Sequence, residues 1–294
     1  MGELVALGAA FSWAFAVTLV RIAPPSIPVS QMNAIRLLVP AVTTPVLMLA
    51  AGMQGELMEL RWQNFAALAV SVITGVGAGD MLLFRAIRTV GLVRSYTIGG
   101  TFPLFALLFA ALLLGEEVGG FAIAGTLLIV AGGALVSTRS TAEEKVPHAS
   151  RWQYRRGLAL SLVVAMMWGI DIILLKIGAG DAHPFVANSF RMPFAAAMMM
   201  AFAWRVSGQF PLLRVNTQTA VTLALSGLLG LTLGSFLFLW SIQEIGAART
   251  GALGAFSPVF AMILAVVFLR ERPGWKAVVG TLAATGGVIL VTLR

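Results

Sequence analysis

The chain repeats itself. A displacement of 155 residues, without a gap, sets Trp13 over Trp168, Asn33 over Asn188 and Arg36 over Arg191. The match continues with Gly91 and Gly246, Arg94 and Arg249, Pro103 and Pro258, Glu116 and Glu271, Gly125 and Gly280. A period of that length is far too long for a solenoid unit, so the chain is a duplicated domain. In an apolar chain this is the usual mark of a secondary transporter.

Composition says where such a domain lives. Apolar residues make up 59% of the chain and charged residues 11%, and the mean hydropathy is +0.93. A soluble domain is about a quarter charged, so this chain belongs in lipid. Charges punctuate apolar runs at 3–21, 29–51, 63–85, 94–115 and 118–138, and again at 157–176, 184–205, 217–243, 248–269 and 275–293. Each is long enough to cross a bilayer as a helix. The first run lacks the basic leader and small-residue cleavage site of a signal peptide, so it reads as a span. The organisation is therefore a five-helix repeat over 1–139, a polar linker over 140–156 and a second five-helix repeat over 157–294.

Five is odd, which decides the symmetry. Two similar halves of five spans enter the membrane from opposite faces, as inverted repeats about a two-fold axis in the membrane plane. The predicted fold is all-α, a polytopic membrane protein of ten transmembrane helices. One central cavity between the halves can then open alternately to either side.

Lys and Arg set the orientation. The face carrying both termini holds Arg61, Lys176, Arg249 and Arg294. The opposite face holds Arg21, Arg85, Arg88, Arg94, Arg139, Lys145, Arg151, Arg155, Arg156, Arg205, Arg214, Arg270, Arg272 and Lys276. The positive-inside rule puts the linker in the cytoplasm and both termini outside the inner (plasma) membrane. This placement also accounts for the net charge of +8 without nucleic-acid binding. Cysteine is absent, and the two histidines, His148 and His183, fall in loops, so neither a metal nor a cofactor is expected. No Walker A loop is present to drive transport with ATP, and Gly75-Val76-Gly77 lacks the strand-to-helix context of a nucleotide loop.

A family pattern lies in the fourth and fifth spans of each copy. The first reads Pro103, Phe105, Ala106, an apolar run to Leu114-Gly115-Glu116, then Gly125 and Gly132. The second reads Pro258, Phe260, Ala261, an apolar run to Leu269-Arg270-Glu271, then Gly280 and Gly287. This resembles the EamA repeat of the drug/metabolite transporter superfamily, twice, over essentially the whole chain. The resemblance implies a ten-helix carrier with its cavity lined by spans 1, 3, 4, 6, 8 and 9; YddG-like aromatic amino-acid exporters are among such members. Family members are often drawn with both termini in the cytoplasm, whereas the charge count here argues the reverse.

Four ionisable residues lie within spans: Arg36, Asp80, Asp171 and Arg191. Charge at membrane depth costs about 2.5–3.5 kcal/mol per residue on insertion scales, so each should have a partner or line water. Their depths predict one Arg–Asp pair near each face, Arg36 with Asp80 and Arg191 with Asp171. These are either gates that form and break during transport or permanent struts. The arginines are duplicated and the aspartates are not (Asp80 aligns with Ser235, Asp171 with Ala16), so each half uses its acid differently. Either acid is a candidate for a proton or for the amino group of a substrate.

Trp13 and Trp168 sit near mid-depth, where indoles are uncommon. They are candidate walls of a substrate chamber or fillers between helices. Phe84, Tyr96, Phe102, Phe236, Trp240 and Phe256 would extend the lining. Pro103 and Pro258 are expected to kink spans 4 and 9. Gly75, Gly77 and Gly79 on span 3 and Gly227, Gly230 and Gly234 on span 8 allow close approach or bending, and those of spans 5 and 10 read as packing faces.

The expected function is transport of a small metabolite, an amino acid foremost, in the export direction. A lipid-linked or phosphorylated metabolite is the alternative cargo. A channel is disfavoured because neither a charged ring nor a carbonyl filter is evident. A membrane-embedded enzyme is disfavoured because no catalytic cluster shares one depth. The expected partners are a small-molecule substrate and the lipid bilayer; proton coupling, and monomer against homodimer, stay open.

Overall fold

The computed structural model describes residues 1–22, 27–90, 92–137, 151–208, 215–269 and 274–293. It is all-helical among these residues. Nine helices are apolar and at least 18 residues long, and a tenth apolar helix, Gly120–Val136, is shorter. Of the basic residues counted at the linker face, Arg139, Lys145, Arg214, Arg270 and Arg272 lie outside the described residues.

Spans 1 and 2 are Gly2–Ile22 and Val29–Ala50, followed by a short helix, Gln54–Glu59, that the apolar pattern did not reveal. Span 3 runs from Trp62 to Val90 and contains a π-helical segment, Ile73–Gly77. Span 4 is two pieces, Leu92–Gly99 and Phe102–Leu114, and span 5 lies in Gly120–Ser137. Spans 6 and 7 are Arg151–Ala179 and Pro184–Ser207. Span 8 runs from Thr217 to Ile245 with a π-helical segment, Leu228–Leu233. Span 9 again has two pieces, Ala247–Gly254 and Ser257–Leu269, and span 10 is Trp275–Thr292. Span 6 thus begins within the expected linker. At 1.5 Å per residue its 29 residues exceed the roughly 30 Å hydrocarbon core, so its first turns project beyond it.

Local chemistry sets several of these boundaries. His183 caps span 7 by accepting from Phe185 N at 3.3 Å, ahead of Pro184, whose missing N–H costs nothing there. Asn216 caps span 8 by accepting from Thr219 N at 2.8 Å. Span 4 ends at Gly115 with φ 65°, the left-handed geometry that favours glycine.

The two copies are not separate bodies. Span 5 packs on span 10, span 2 on span 7, span 3 on span 6, and span 1 on span 8; span 4 packs on spans 6 and 9, and span 1 on span 9. Each pairing joins one repeat to the other, and each maps onto another or onto itself when the repeats are exchanged. One core cluster accordingly mixes Ala9, Leu68 and Ala106 with Ile172, Ala187, Leu239 and Ala247.

Glycine sets a close crossing between the repeats. A Cβ on Gly125 would lie 2.6 Å from Gly287 O, and one on Gly280 would lie 2.6 Å from Gly132 O, so spans 5 and 10 touch backbone to backbone. Gly286 has open space beside it and takes no part in this face.

The prolines act differently from the expected kink. Span 4 is interrupted at Gly100–Thr101, where Thr101 N bonds Ile98 O at 3.0 Å, and Pro103 stands in the first turn of the resumed helix. Span 9 is interrupted at Ala255–Phe256, and Pro258 holds the matching place. At a helix start the absent N–H is no loss, so each proline begins a helix rather than bending one.

Candidate functional site

A chamber of about 190 Å³ lies between the repeats. Spans 4 and 5 of the first copy contribute Thr97, Phe102, Ile129 and Gly133, and spans 6 and 9 of the second contribute Trp168, Ala255, Ser257 and Pro258. Trp168 and Phe102 meet edge to face with centroids 6.1 Å apart. The indole fits at mid-depth because glycines make room: Cβ atoms on Gly79 and Gly99 would lie 3.1 Å and 3.4 Å from it. The broken helices of spans 4 and 9 bring irregular backbone to the same chamber, where a cavity can satisfy it.

Four of the other expected lining residues, Trp13, Phe236, Trp240 and Phe256, are elsewhere. Trp13 packs against Phe238 at 4.8 Å and against Gly234 and Gly254. Phe256 is buried against Phe260 at 5.1 Å. Phe236 and Trp240 line a larger vestibule of about 760 Å³ at the face bearing both termini, with Glu56, Asn64, His183 and Gln243. The side chains of Phe84 and Tyr96 lie outside the described residues.

The intramembrane charges form two clusters. Towards the terminus-bearing face, Arg191 on span 7 meets Asp171 on span 6 at 3.6 Å, and its Nε donates to Ser71 Oγ on span 3 at 2.9 Å. A Cβ on Gly75 would lie 3.0 Å from the Asp171 carboxylate, so glycine in the π-helical segment gives that acid its room. Asn188, one turn from Arg191, accepts from Ser235 Oγ at 3.1 Å.

Towards the other face the same scaffold is wired differently. Arg36 Nη1 donates to Asn33 Oδ1 at 3.2 Å, and Asn33 Nδ2 donates to Asp80 Oδ2 at 3.3 Å. Asn33 therefore stands between the arginine and acid that depth alone paired directly. Ser226, the counterpart of Ser71, donates to Ala16 O at 2.9 Å, and Ala16 is the counterpart of Asp171.

A third polar group ties the repeats at the terminus-bearing face. Lys176 Nζ donates to Glu116 Oε1 at 2.6 Å, and Ala247 N and Ala248 N donate to the same carboxylate at 2.8 Å and 3.0 Å. Burial alone would raise the pKa of Glu116; the Lys176 ammonium and the two N–H groups outweigh it and hold the pKa below its ordinary value. The carboxylate caps the first piece of span 9. Its partner position Glu271 lies outside the described residues.

Sequence reading gave no role to Asn33, Asn188, Ser71 or Ser235, nor to the Glu116–Lys176 bond. The alignment of Asn33 with Asn188, three residues before each duplicated arginine, was the available signal.

Comparison with known proteins agrees with this architecture. A solved crystal structure covers 99% of the chain and 96% of its own with a TM-score of 0.79 at 18% identity, a likeness of fold. An uncharacterized protein of Pseudomonas aeruginosa is 29% identical over 240 residues, covering 78% of this chain and 72% of that protein. A "probable terminal-alkyne amino-acid exporter" of Streptantibioticus cattleyicolor is 26% identical over 289 residues, covering 96% of this chain and 90% of the exporter. The model of the EamA-like transporter family matches residues 1–138 and again 155–293. With both halves matched and the helices paired across the repeats, the chain belongs to the EamA-like transporters, multi-pass membrane proteins that carry small molecules.

Proposed function

We infer that this transporter exports an amino acid with an apolar or aromatic side chain, by alternating access through the chamber between its repeats. The observation that carries the reading is the chamber: about 190 Å³, aromatic on one side, and walled by both copies. A side chain of that size and polarity suits Trp168 and Phe102, and a charged head needs polar groups beyond them. The exporter from Streptantibioticus cattleyicolor, similar over nearly its whole length, supports an amino acid as cargo. Arg36 with Asp80 and Arg191 with Asp171 are the groups on which gating or proton coupling would rest. The Lys/Arg distribution supports an inner-membrane topology with both termini outside.

The test is counterflow of labelled L-amino acids into liposomes holding the purified protein, with and without an imposed pH gradient. Saturable exchange of an apolar amino acid is expected. Equilibration without exchange indicates a pore, and no movement of any amino acid removes the cargo assignment.

A further inference from the structure

The two polar clusters occupy equivalent positions but differ in how their duplicated asparagines are bonded. In the Arg36 cluster both ends of the Asn33 carboxamide are bonded, one to Arg36 and one to Asp80. In the Arg191 cluster the acid has moved: Asp80's counterpart is Ser235, and an acid appears instead at Asp171. The exchange leaves two atoms over. Asn188 is fully buried, its Oδ1 taken by Ser235, and its Nδ2 has no partner among the described residues. Asp171 Oδ1 is likewise buried and has no hydrogen-bond partner among the described residues, while Oδ2 faces Arg191. A buried orphan donor and a buried orphan acceptor each cost on the order of 1–3 kcal/mol. Native structures leave few such groups without a ligand or water.

Along the helices that carry them, these residues stand one level below the lining of the large vestibule. Span 6 carries Asp171 and, eight residues on, vestibule-lining Ala179. Span 8 carries Ser235 and, eight residues on, vestibule-lining Gln243. At 1.5 Å per residue, both descents are about 12 Å. Spans 3 and 7 contribute to both levels as well, through Asn64 and Ser71 and through His183 and Asn188.

We propose that Asp171 and Asn188 are the head-group site for an α-amino acid passing through the vestibule, Asp171 Oδ1 taking the ammonium and Asn188 Nδ2 the carboxylate. This rests on the amino-acid reading above. An ammonium supplies the donor that Asp171 lacks and a carboxylate the acceptor that Asn188 lacks. Arg191 is a positioning residue here: with Asp171 Oδ2 and Ser71 as its partners, it holds the acid with Oδ1 free. Gly75 keeps span 3 from covering the carboxylate. The Arg36 cluster, already satisfied at Asn33, offers no equivalent place.

The experiment uses the amino acid that exchanges best in the labelled panel, competed by its N-acetyl derivative and by its decarboxylated amine. Asp171→Asn and Asn188→Asp preserve shape. In Asp171→Asn the half-saturation concentration of the free amino acid should rise at least about tenfold, while inhibition by the N-acetyl derivative, which has no ammonium, stays at the wild-type level. Asn188→Asp should weaken the amino acid by a similar factor and strengthen inhibition by the amine. If an isosteric variant does not fold, Gly75→Ala, which crowds the carboxylate from span 3, should raise the half-saturation concentration without removing a polar atom. Folded variants with unchanged half-saturation would overturn the assignment. So would equal loss of the amino acid and both analogues, which would identify the orphan atoms as a structural water site. Wild-type protein that exchanges no amino acid would remove the cargo reading and this ligand together; exchange with indifferent variants would remove this site alone.

Discussion

Glu116 and Lys176, on different repeats, meet at 2.6 Å. The same carboxylate caps the start of span 9 through Ala247 N and Ala248 N. One side chain at the end of span 4 therefore fixes the ends of spans 6 and 9. Gly246 makes this approach tolerable: its φ is 85°, and a Cβ there would sit 2.9 Å from the carboxylate.

Removing that charge should destabilise the protein in a pH-dependent way. The folded pKa of Glu116 lies below its ordinary value, so its contribution is present above the unfolded pKa and lost as pH falls through the folded one. Glu116→Gln should cost about 1 kcal/mol near pH 7, a modest figure because Lys176 is 34% exposed. The difference in Tm between variant and wild type should shrink as pH falls below the usual carboxylate range. A difference that stays constant with pH would count against the ionised contact.

The glycine crossing gives a sharper contrast. Gly132→Ala sets a methyl 2.6 Å from Ala284 N and against Gly280 O, where no flexible side chain can yield. Overpacking of this kind costs about 1–3 kcal/mol. Gly286→Ala meets open space and should leave the Tm within about 1 °C of wild type, since an unconstrained surface change is worth under about 0.5 kcal/mol. Equal melting of the two variants would refute the crossing.

The two midplane tryptophans should separate by phenotype. Trp168→Phe keeps an aromatic wall against Phe102 but enlarges the chamber, so bulkier amino acids should gain relative to smaller ones in counterflow. Trp13→Ala removes packing against Phe238, Gly234 and Gly254, and should cost about 3–5 kcal/mol in stability. An unchanged size preference in Trp168→Phe would separate the chamber from the transport path.

Orientation is testable directly because the chain has no native cysteine. Met58→Cys lies in the short helix Gln54–Glu59 at the terminus-bearing face, where Met58 is 86% exposed. An impermeant maleimide should label it in intact cells, and should label Ser140→Cys in the linker only after permeabilisation. The reverse pattern would invert the topology drawn from the Lys/Arg count.

The sequence was legible where a feature depends on composition or repetition. Duplication of Asn33, Arg36, Pro103 and Gly125 marked the fold, and apolar run length marked the spans. It was opaque where a feature depends on hydrogen-bond register. Nothing in the apolar pattern distinguishes the π-helical segment at Ile73–Gly77 from ordinary helix, since one shifted carbonyl changes no residue's polarity. The same limit hid the breaks before Pro103 and Pro258. Aromaticity was also too coarse to separate roles: Phe102, Trp240 and Phe256 look alike in sequence, yet one lines the chamber, one the vestibule and one packs in the core.

The crossing of spans 5 and 10 has a property that its packing alone does not express. Exchanging the repeats turns the contact of Gly125 with Gly287 into that of Gly280 with Gly132, so the pair of contacts is its own image. A machine that works by letting its halves trade places must take apart every joint that is not its own image and reassemble it elsewhere. Under the alternating access proposed above, this joint can stay assembled through the whole cycle, as an axle does while the wheel turns.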